Sequence, residues 1–432
     1  MKCGSKFFSS RSSSGVAVLS ITNVFPSLIQ PWFVNQLIQV VEFGGENRIL
    51  AMDGSHQQYS DDIDKFALLP CSACIPWLSM RELWQILLFL LNPAHWPRML
   101  RGWRRQAQYL GEYPSQLGHP LNRLLLSAFC AMDNFDLIHS HSEIAAWRFL
   151  PIIACSGKPL VITFHGLPPK GVQPLSMEQR EILARHASTI LVNTEFAKRH
   201  YVAIGGDPDK VKIIPQGLKL SDFPYQPLPV PKPGETIHLL TVGRFHPDKG
   251  QHYALEAVKQ LVEQGHNIHY TLVGNGPEKT KLTAQAEELG LAERVTLLSG
   301  LSDEDLRGQY RRAHVFILPS LRDREGFHEE TQGVVMQEAQ ASGVLVVATK
   351  TGGIPECFDD GESGFLVEDR SSQQLASKLH YLITNSESWP SWREAGLANV
   401  QQYFDMQVIG GRLQQVYREV LASSKEEGHH AS

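Results

Sequence analysis

Short apolar runs alternate with segments of helical period along most of the chain. Runs rich in Val, Ile and Leu and bounded by polar residues are typical of strands buried on both faces of a parallel sheet. We expect such strands at 16–21, 137–139, 160–164, 189–192, 211–214, 237–242, 269–273, 295–298, 315–318 and 344–348. Helical periodicity lies between them, as at 30–42 and 177–186. Strands that alternate with helices predict an α/β fold with doubly wound parallel sheets.

A proline-rich stretch divides this pattern into two parts. Residues 224–234 read Pro-Tyr-Gln-Pro-Leu-Pro-Val-Pro-Lys-Pro-Gly, a composition typical of a stiff linker. We therefore expect two Rossmann-like domains, at 16–223 and 235–404, that face each other across a ligand-binding cleft. Helical periodicity returns after the second domain, and a helix at about 405–422 is a candidate to pack back on the first domain.

Composition and charge restrict the classes of function. The 432 residues include 42% hydrophobic and 20% charged side chains, which is typical of a globular protein with sizeable cores. The formal net charge of −5 argues against a nucleic-acid binder, because binding to phosphates requires a basic surface. The six cysteines have neither disulfide-scaffold nor zinc-site spacing. Because we find no secretory signal and no apolar run of about 20 residues, we expect a cytoplasmic protein.

Two carboxylates flank a glycine in the second half of the chain. Glu330 and Glu338 stand eight positions apart, with Gly333 between them at the start of an amphipathic run. This segment lies between two predicted strands, so both acids fall near the edge where open α/β sheets bind ligands. A helix that begins near Gly333 would offer backbone N–H groups and its positive dipole end to an anion. Because the carboxylates could hold sugar hydroxyls, the pattern indicates a nucleotide sugar.

A basic loop follows the first strand predicted for the second domain. It reads Gly-Arg-Phe-His-Pro-Asp-Lys-Gly at 243–250, and its two cations are Arg244 and Lys249. A fixed guanidinium and ammonium are suited to neutralise the charge that develops on a leaving nucleoside diphosphate. A solvated turn is the alternative, but the strand, the glycines and the basic pair together favour the phosphate site.

Two other segments follow predicted strands. His165 stands at the carboxyl end of the strand at 160–164 and precedes Gly166, a position that favours a ligand contact over a hydrogen-bonded core histidine. The sequence Thr-Gly-Gly-Ile-Pro-Glu at 351–356 follows the strand at 344–348. Its two glycines would allow the backbone to approach a phosphate closely, although an ordinary glycine turn has the same composition.

Three motifs together resemble the retaining GT-B glycosyltransferases. They are Gly-Arg-Phe-x3-Lys-Gly at 243–250, Val-Gly-Asn-Gly-Pro at 273–277 and the pair of glutamates at 330 and 338. The chain is most similar to the glycosyltransferase family 4-like members of the exopolysaccharide and colanic-acid type, which it also resembles at 25–36 and 163–166. The similarity extends from about residue 16 to about residue 420.

The resemblance implies a role for each candidate residue. Arg244 and Lys249 would bind the donor diphosphate, and Glu338 would bind the ribose hydroxyls. Glu330 would contact the transferred sugar and His165 would line it, which makes these two the candidate catalytic residues. The donor site would also include Gly243, Gly333 and Val334. Since no Asp-x-Asp pair follows a predicted strand, we expect no catalytic metal and no cofactor; the basic pair and a helix dipole would neutralise the leaving group.

The sequence departs from the family pattern at two places. Many members have a double glycine where this chain has Asn-Val-Phe-Pro-Ser at 23–27. The frequent Glu-Gly-Phe-Gly at the start of the acidic motif is here Glu-Thr-Gln-Gly at 330–333, while a Glu-Gly-Phe sequence lies upstream at 325–327. The spacing to Glu338 favours Glu330 over Glu325 as the first acid of the motif.

Residues 80–123 form a locally basic, aromatic-rich segment. Six arginines and two glutamates give this segment a charge of +4 within an acidic protein. Trp84, Trp96 and Trp103 stand among the arginines and a leucine-rich run. This composition is typical of a segment at an anionic membrane surface, and equally of an amphipathic helix that is buried on its own domain with solvated arginines.

The sequence therefore predicts a retaining hexosyltransferase of polysaccharide biosynthesis, of the EC 2.4 class. It would move a sugar from a nucleotide-diphosphate sugar to a saccharide or lipid-linked saccharide, and it would lie peripherally at the inner face of the membrane. A nucleotide-sugar epimerase or phosphorylase of the same architecture and a non-catalytic nucleotide-sugar-binding scaffold are the alternatives. A Rossmann dehydrogenase is excluded, because residues 21–26 lack the glycine fingerprint after the first strand.

Overall fold

Two parallel β-sheets organise the chain, as the alternating pattern predicts. The computed structural model describes residues 15–26, 31–54, 61–74, 84, 87–88, 90–108, 120–131, 134–168, 172–322 and 329–430. The first sheet contains β1 (Ala17–Val24), β2 (Glu46–Asp53), β3 (Ser72–Cys74), β4 (Leu137–Ser140), β5 (Leu160–Phe164), β6 (Ala187–Val192) and β7 (Val211–Ile213). The second contains β8 (Ile237–Val242), β9 (Ile268–Val273), β10 (Val295–Leu298), β11 (Val315–Leu318), β12 (Leu345–Thr349) and β13 (Phe365–Val367).

Both sheets have the strand order of a Rossmann-like domain. The orders are β3-β2-β1-β4-β5-β6-β7 and β10-β9-β8-β11-β12-β13, and the paired strands are parallel throughout. In each sheet the order reverses beside the first strand, β1 or β8. Open α/β sheets bind ligands at the carboxyl ends of the strands at such a reversal. We refer to the first sheet with its helices as the first lobe, and to the second sheet with its helices as the second lobe.

Helices connect and cover the strands of both lobes. Those of the first lobe are α1 (Pro31–Glu42), α2 (Asp61–Lys65), α3 (Trp96–Gln108), α4 (Pro120–Ala131), α5 (Glu143–Arg148), α6 (Leu150–Ser156), α7 (Met177–His186) and α8 (Glu195–Ala203). Those that follow are α9 (Gln251–Glu263), α10 (Lys279–Glu288), α11 (Asp303–Arg311), α12 (Val334–Ala341), α13 (Ser372–Thr384), α14 (Trp389–Tyr403) and α15 (Met406–His430). None of the helices in the described ranges is long and apolar enough to span a bilayer.

Three strands escape the apolar-run pattern. β2 contains Asn47 and Arg48, which are buried although they are polar. The Asn47 amide donates to the Leu37 carbonyl at 2.7 Å, and Arg48 pairs with Glu46 at 3.1 Å, so the burial of these groups is compensated. β3 and β13 have only three residues each, too few for a periodic pattern.

The last helix, α15, returns to the first lobe. Its apolar face, which includes Leu413 and Tyr417, is buried against Val18 and Leu137 of the first sheet. Burial of each such side chain stabilises the packing by about 1.5–3 kcal/mol. We use the term linker for all residues between β7 and β8, including the proline-rich stretch. The return crosses this linker at Leu218, whose N–H donates to Phe404 O at 2.7 Å and whose carbonyl accepts from Met406 N at 2.9 Å. Two chain segments therefore join the lobes side by side beneath the cleft.

Candidate active site

A cleft of about 550 Å³ lies between the lobes, at the carboxyl ends of strands from both sheets. The first lobe and the linker line it with Val34, Asn35, Asp62, His165, Gln216, Gly217, Leu218, Lys219, Asp222 and Phe223. The second lobe contributes residues from the ends of β8 and β11 and from the starts of α11 and α12. Since strands of both lobes end here, side chains far apart in the sequence meet in one site.

The acidic segment begins α12 at the wall of the cleft. Gly333 is the residue before the helix and has a φ of 81°, a left-handed conformation that favours glycine. Gly333, Val334 and Val335 line the cleft at the amino-terminal end of this helix. The first N–H groups of a helix have no acceptor within the helix, and the dipole adds partial positive charge there. This end of α12 can therefore hold an anion.

The two cations of the 243–250 loop reach the cleft, and each contacts a carboxylate. The Lys249 ammonium forms a hydrogen-bonded ion pair with Glu330. The Arg244 guanidinium lies 3.5 Å from Asp248 Oδ2, and its side chain is 52% exposed. Asp248 Oδ1 also accepts from His246 Nδ1 at 2.6 Å. The loop thus carries a basic pair whose charge is balanced by acids that an anionic ligand would displace.

Glu338 lies deeper along the same wall. The Tyr310 hydroxyl donates to Glu338 Oε2 at 2.6 Å, and burial raises the pKa of this carboxyl, against the opposing effects of the Tyr310 hydrogen bond and the Arg307 charge. Burial, together with the Glu338 charge, raises the pKa of Tyr310 well above its ordinary value, so the phenol stays protonated and donates. Arg307 pairs with Asp222 across the cleft at 3.1 Å. The carboxyl group at this end of the cleft can accept hydrogen bonds from hydroxyl groups.

His165 follows β5 and faces the acidic segment from the first lobe. The Gln216 amide donates to its Nδ1 at 3.0 Å, which leaves the ring proton on Nε2. Burial lowers the pKa of His165 to about 3, so the imidazole is neutral at physiological pH. The Thr331 hydroxyl donates to the His165 carbonyl at 3.4 Å. The ring can therefore act as a neutral hydrogen-bond donor, but not as a cation.

Known proteins match both halves of the chain. The family model described as Glycosyltransferase Family 4 matches residues 87–222, and the one described as Glycosyl transferases group 1 matches residues 226–398. The chain belongs to the GT-B glycosyltransferases. The two matches lie on the two lobes of the glycosyltransferase, one on each side of the linker.

Curated relatives and solved structures agree with this assignment. A Salmonella typhimurium protein described as a colanic acid biosynthesis glycosyltransferase, WcaL, is 26% identical, over 90% of this chain and 96% of its own. The D-inositol 3-phosphate glycosyltransferase of Corynebacterium glutamicum is 27% identical, over 74% of this chain and 81% of its own. Anabaena HepE, solved with UDP, superposes with a TM-score of 0.68 at 17% identity, over 94% of this chain and 100% of HepE. The sucrose-phosphate synthase of Thermosynechococcus elongatus superposes with a TM-score of 0.67 at 18% identity, over 95% of this chain and 100% of the synthase.

All eight site residues named from the sequence line the same cleft of the glycosyltransferase. They are His165, Gly243, Arg244, Lys249, Glu330, Gly333, Val334 and Glu338. Their assigned roles stay predictions. The rival acid at 325 lies outside the described residues. In the part of the chain that the structure describes, no three His, Cys, Asp or Glu side chains are grouped so that they could hold a metal ion. Metal-independent transfer likewise stays a prediction.

The two glycines at 352 and 353 lie against the acidic segment. The Gly353 N–H donates to Glu330 O at 2.8 Å, and the Gly352 N–H donates to Glu329 Oε2 at 2.9 Å. A Cβ atom at Gly352 would lie 2.1 Å from Glu330 O, and one at Gly353 would lie 2.0 Å from Thr331 O. The close approach that the structure shows is to the acidic segment of the glycosyltransferase, and a phosphate contact of this turn stays a prediction.

Four site residues have no signal in the sequence. Tyr310 and Arg307 lie on α11, and Gln216 lies in the linker segment after β7. Gln332 pairs with Gln216 through two hydrogen bonds, of 2.7 and 3.0 Å. Gln332 lies within the acidic motif but had no role assigned to it from the sequence, and the other three residues belong to no motif or charge cluster. They join the site only because the lobes of the glycosyltransferase face each other.

Proposed function

We propose that this glycosyltransferase moves a hexosyl group, with retention of configuration, from a nucleotide-diphosphate sugar to a saccharide or lipid-linked saccharide in polysaccharide biosynthesis. The observation that carries the proposal is the convergence of a basic pair, a helix amino terminus and two glutamates in one cleft. HepE is solved with UDP and glucose, which supports a nucleotide-sugar donor. The WcaL relatives support a saccharide product of the colanic-acid type.

The donor diphosphate would replace the carboxylates that now balance the basic pair. Lys249 contacts Glu330 and Arg244 lies 3.5 Å from Asp248 in the ligand-free cleft. A diphosphate offers each cation an acceptor of higher charge, and the amino-terminal N–H groups of α12 offer further donors. Binding would release Glu330 from Lys249. Its carboxylate would then be available to the hydroxyls of the sugar.

The transfer breaks the bond between the sugar C1 and the phosphate oxygen and forms a bond from C1 to an acceptor hydroxyl oxygen. The electron pair of the broken bond leaves with the nucleoside diphosphate, and Arg244, Lys249 and the α12 dipole stabilise the added charge. The acceptor proton leaves with the diphosphate or passes to solvent. The neutral His165 would hold a sugar hydroxyl through its Nε2 proton, since its pKa of about 3 rules out a general-acid role near neutral pH. No metal and no cofactor is needed in this scheme.

A surface of the first lobe supports contact with a membrane. The α3 helix packs inward through Met99, Gly102 and Gln106. Exposed large apolar side chains in and before this helix are Trp84, Leu87, Leu88, Leu91, Trp96 and Leu100. Arg98, Arg101, Arg104 and Arg105 of the same helix are also exposed. Apolar side chains next to arginines suit the interface of an anionic bilayer, where a lipid-linked acceptor would be found.

Purified protein incubated with labelled nucleotide sugars, with and without an acceptor extract, tests the proposed function. We expect label to move into a saccharide or lipid-linked product, with slow hydrolysis of the donor when no acceptor is added. Nuclear magnetic resonance of the product should show the anomeric configuration of the donor. An altered donor sugar without transfer would instead identify an epimerase. If no donor is transferred or hydrolysed, the remaining alternative is a non-catalytic scaffold that binds nucleotide sugars.

A further inference from the structure

A carboxylate of the second lobe caps a helix of the first lobe beside the cleft. Glu356 ends the short 3-10 turn Ile354–Glu356 that follows the glycine pair. Its Oε2 accepts from Glu195 N at 2.6 Å and its Oε1 accepts from Phe196 N at 2.7 Å. These are the first two N–H groups of α8, which the helix itself cannot satisfy. Arg199, one turn further on, adds its guanidinium at 3.4 Å from Oε1.

The acidic segment makes the other contacts between the lobes at this place. The Thr194 hydroxyl, the side-chain cap of α8, donates to Thr331 O at 2.9 Å. The Asn193 amide donates to the Thr331 hydroxyl at 3.2 Å. The side chain of Gln332 bonds both backbone groups of Gln216. The two residues that follow Glu330 are thus held by groups of the first lobe and of the linker.

The cap and the acidic segment are connected through the glycine pair. Gly353 donates its N–H to Glu330 O at 2.8 Å, and Glu356 N donates to Gly353 O at 3.1 Å. A Cβ atom at Gly353 would lie 2.0 Å from Thr331 O and 2.7 Å from Thr194 Oγ1, so this turn packs closely against both the acidic segment and the start of α8. A displacement of Glu356 relative to α8 therefore displaces the segment that carries Glu330 relative to His165.

We propose that Glu356 is a positioning residue for the transfer reaction: its cap on α8 fixes the Glu330 segment against the first lobe when the lobes are closed. Two charge-assisted hydrogen bonds to a helix amino terminus are strong and directional, and the positive dipole end of α8 favours the carboxylate further. The inference rests on the proposed function, since it assigns Glu356 to the placement of Glu330. Glu356 itself does not line the cleft.

Three variants separate this role from simple stabilisation. Glu356→Ala removes both acceptors, and Glu356→Gln keeps one acceptor without the charge. Arg199→Ala is the matched control, because it removes an exposed partner of Glu356 and leaves the cap in place. For each protein we would measure kcat and KM for transfer, the melting temperature, and the radius of gyration by X-ray scattering with and without UDP.

We expect Glu356→Ala to lower kcat about tenfold to a hundredfold with a smaller change in KM, since two charge-assisted bonds are lost. Its radius of gyration should exceed that of the wild type, with or without UDP. Glu356→Gln should recover part of kcat, and Arg199→Ala should match the wild type. A lower melting temperature with an unchanged kcat and an unchanged radius of gyration would overturn the proposal. Glu356 would then only stabilise α8 as a helix cap. If the wild type transfers no sugar, the proposed function fails, and the scattering comparison alone still decides whether Glu356 holds the lobes.

Discussion

In the proposed reaction, Glu330 would both compete with the donor diphosphate and contact the donor sugar. Its ion pair with Lys249 places an acid where we propose that the diphosphate binds. Replacing Glu330 with Gln removes this competing charge but also the carboxylate that the transferred sugar would contact. We expect Glu330→Gln to bind the cognate nucleoside diphosphate as tightly as the wild type or a few-fold more tightly, while kcat falls about 100-fold or more. Calorimetry and steady-state kinetics measure the two effects separately; an unchanged kcat would remove Glu330 from the reaction.

Glu338 should instead affect donor binding more than the chemical step. The Tyr310 hydroxyl holds one of its oxygens at 2.6 Å, which directs the carboxylate to the end of the cleft that we assign to the ribose. We expect the wild type to bind the cognate diphosphate about tenfold more tightly than its 2′- or 3′-deoxy analogue. Glu338→Gln should lose most of this preference and should affect kcat less than Glu330→Gln does. A preference that survives in Glu338→Gln would place the ribose elsewhere.

At the level of single residues, the sequence identifies what belongs to a motif and misses what depends on the meeting of the lobes. Glu330, Lys249 and His165 follow predicted strands, so sheet topology alone brings them to one edge. Gln216 belongs to no motif, and Glu356 ends the glycine segment at 351–356 without a role assigned to it from the sequence. Gln216 bonds the Gln332 side chain and Glu356 bonds a backbone N–H of α8, each more than 100 positions away, and no local pattern encodes a contact of that kind.

Among the elements, α3 carries a prediction about the membrane. Arg101, Arg104 and Arg105 are exposed on a helix that also exposes Trp96 and Leu100. Each arginine near an anionic surface contributes about 1 kcal/mol, so replacement of all three by Gln should weaken binding to anionic vesicles about 100-fold. Binding of the wild type should also fall steeply with salt. Co-sedimentation measures both effects.

The control for this prediction changes the same charge elsewhere. Arg185, Arg312 and Arg418 are exposed on other elements, and their replacement by Gln should leave sedimentation with vesicles unchanged. Transfer to a short soluble acceptor should survive in both triple variants. Equal pelleting of the wild type and the α3 variant, or no pelleting of either, would make α3 a surface helix without a membrane role.

The elements themselves were predictable where burial is two-sided and uniform. β4, β5, β11 and β12 are buried along their whole length and coincide with apolar runs, as expected for strands covered on both faces. β7 and β10 also coincide with apolar runs, although they are only half-buried. β2 was missed, since the buried polar residues Asn47 and Arg48 interrupt its apolar pattern. The sequence left the glycines at 352 and 353 open between a phosphate contact and an ordinary turn, and it could not show that their close neighbour is another segment of the chain.

For the whole molecule, buried histidines predict a loss of stability in mild acid. Burial lowers the pKa of His139 and His165 to about 3 and that of His314 to about 4, and it also lowers the pKa of His141 well below its ordinary value. Below about pH 6.5 these side chains take up protons in the unfolded chain but not in the folded one. The free energy of unfolding should therefore fall as the pH drops from 7 to 5, by about 1 kcal/mol per pH unit for each histidine.

Urea unfolding at several pH values measures this slope. Burial raises the pKa of Glu143 and Glu338, so these two carboxyl groups change the stability in the opposite sense. They are outnumbered by the four histidines named above. The double variant His139→Gln, His165→Gln should show a shallower dependence on pH, because glutamine does not titrate. A midpoint that does not move between pH 7 and 5 would mean that these histidines are protonated in the folded protein.

The most direct test of the account is calorimetric titration of UDP, ADP and GDP, each with its monophosphate, into the wild type, Arg244→Ala and Lys249→Ala. Lys281→Ala is the control, an exposed lysine of the same lobe that pairs with Glu278. We predict that the wild type binds one diphosphate at least about tenfold more tightly than its monophosphate, and that Arg244→Ala and Lys249→Ala each weaken this binding about 10- to 100-fold. Lys281→Ala should bind as the wild type does. Wild-type affinity in both cleft variants would contradict the account, because the donor diphosphate would then bind somewhere else.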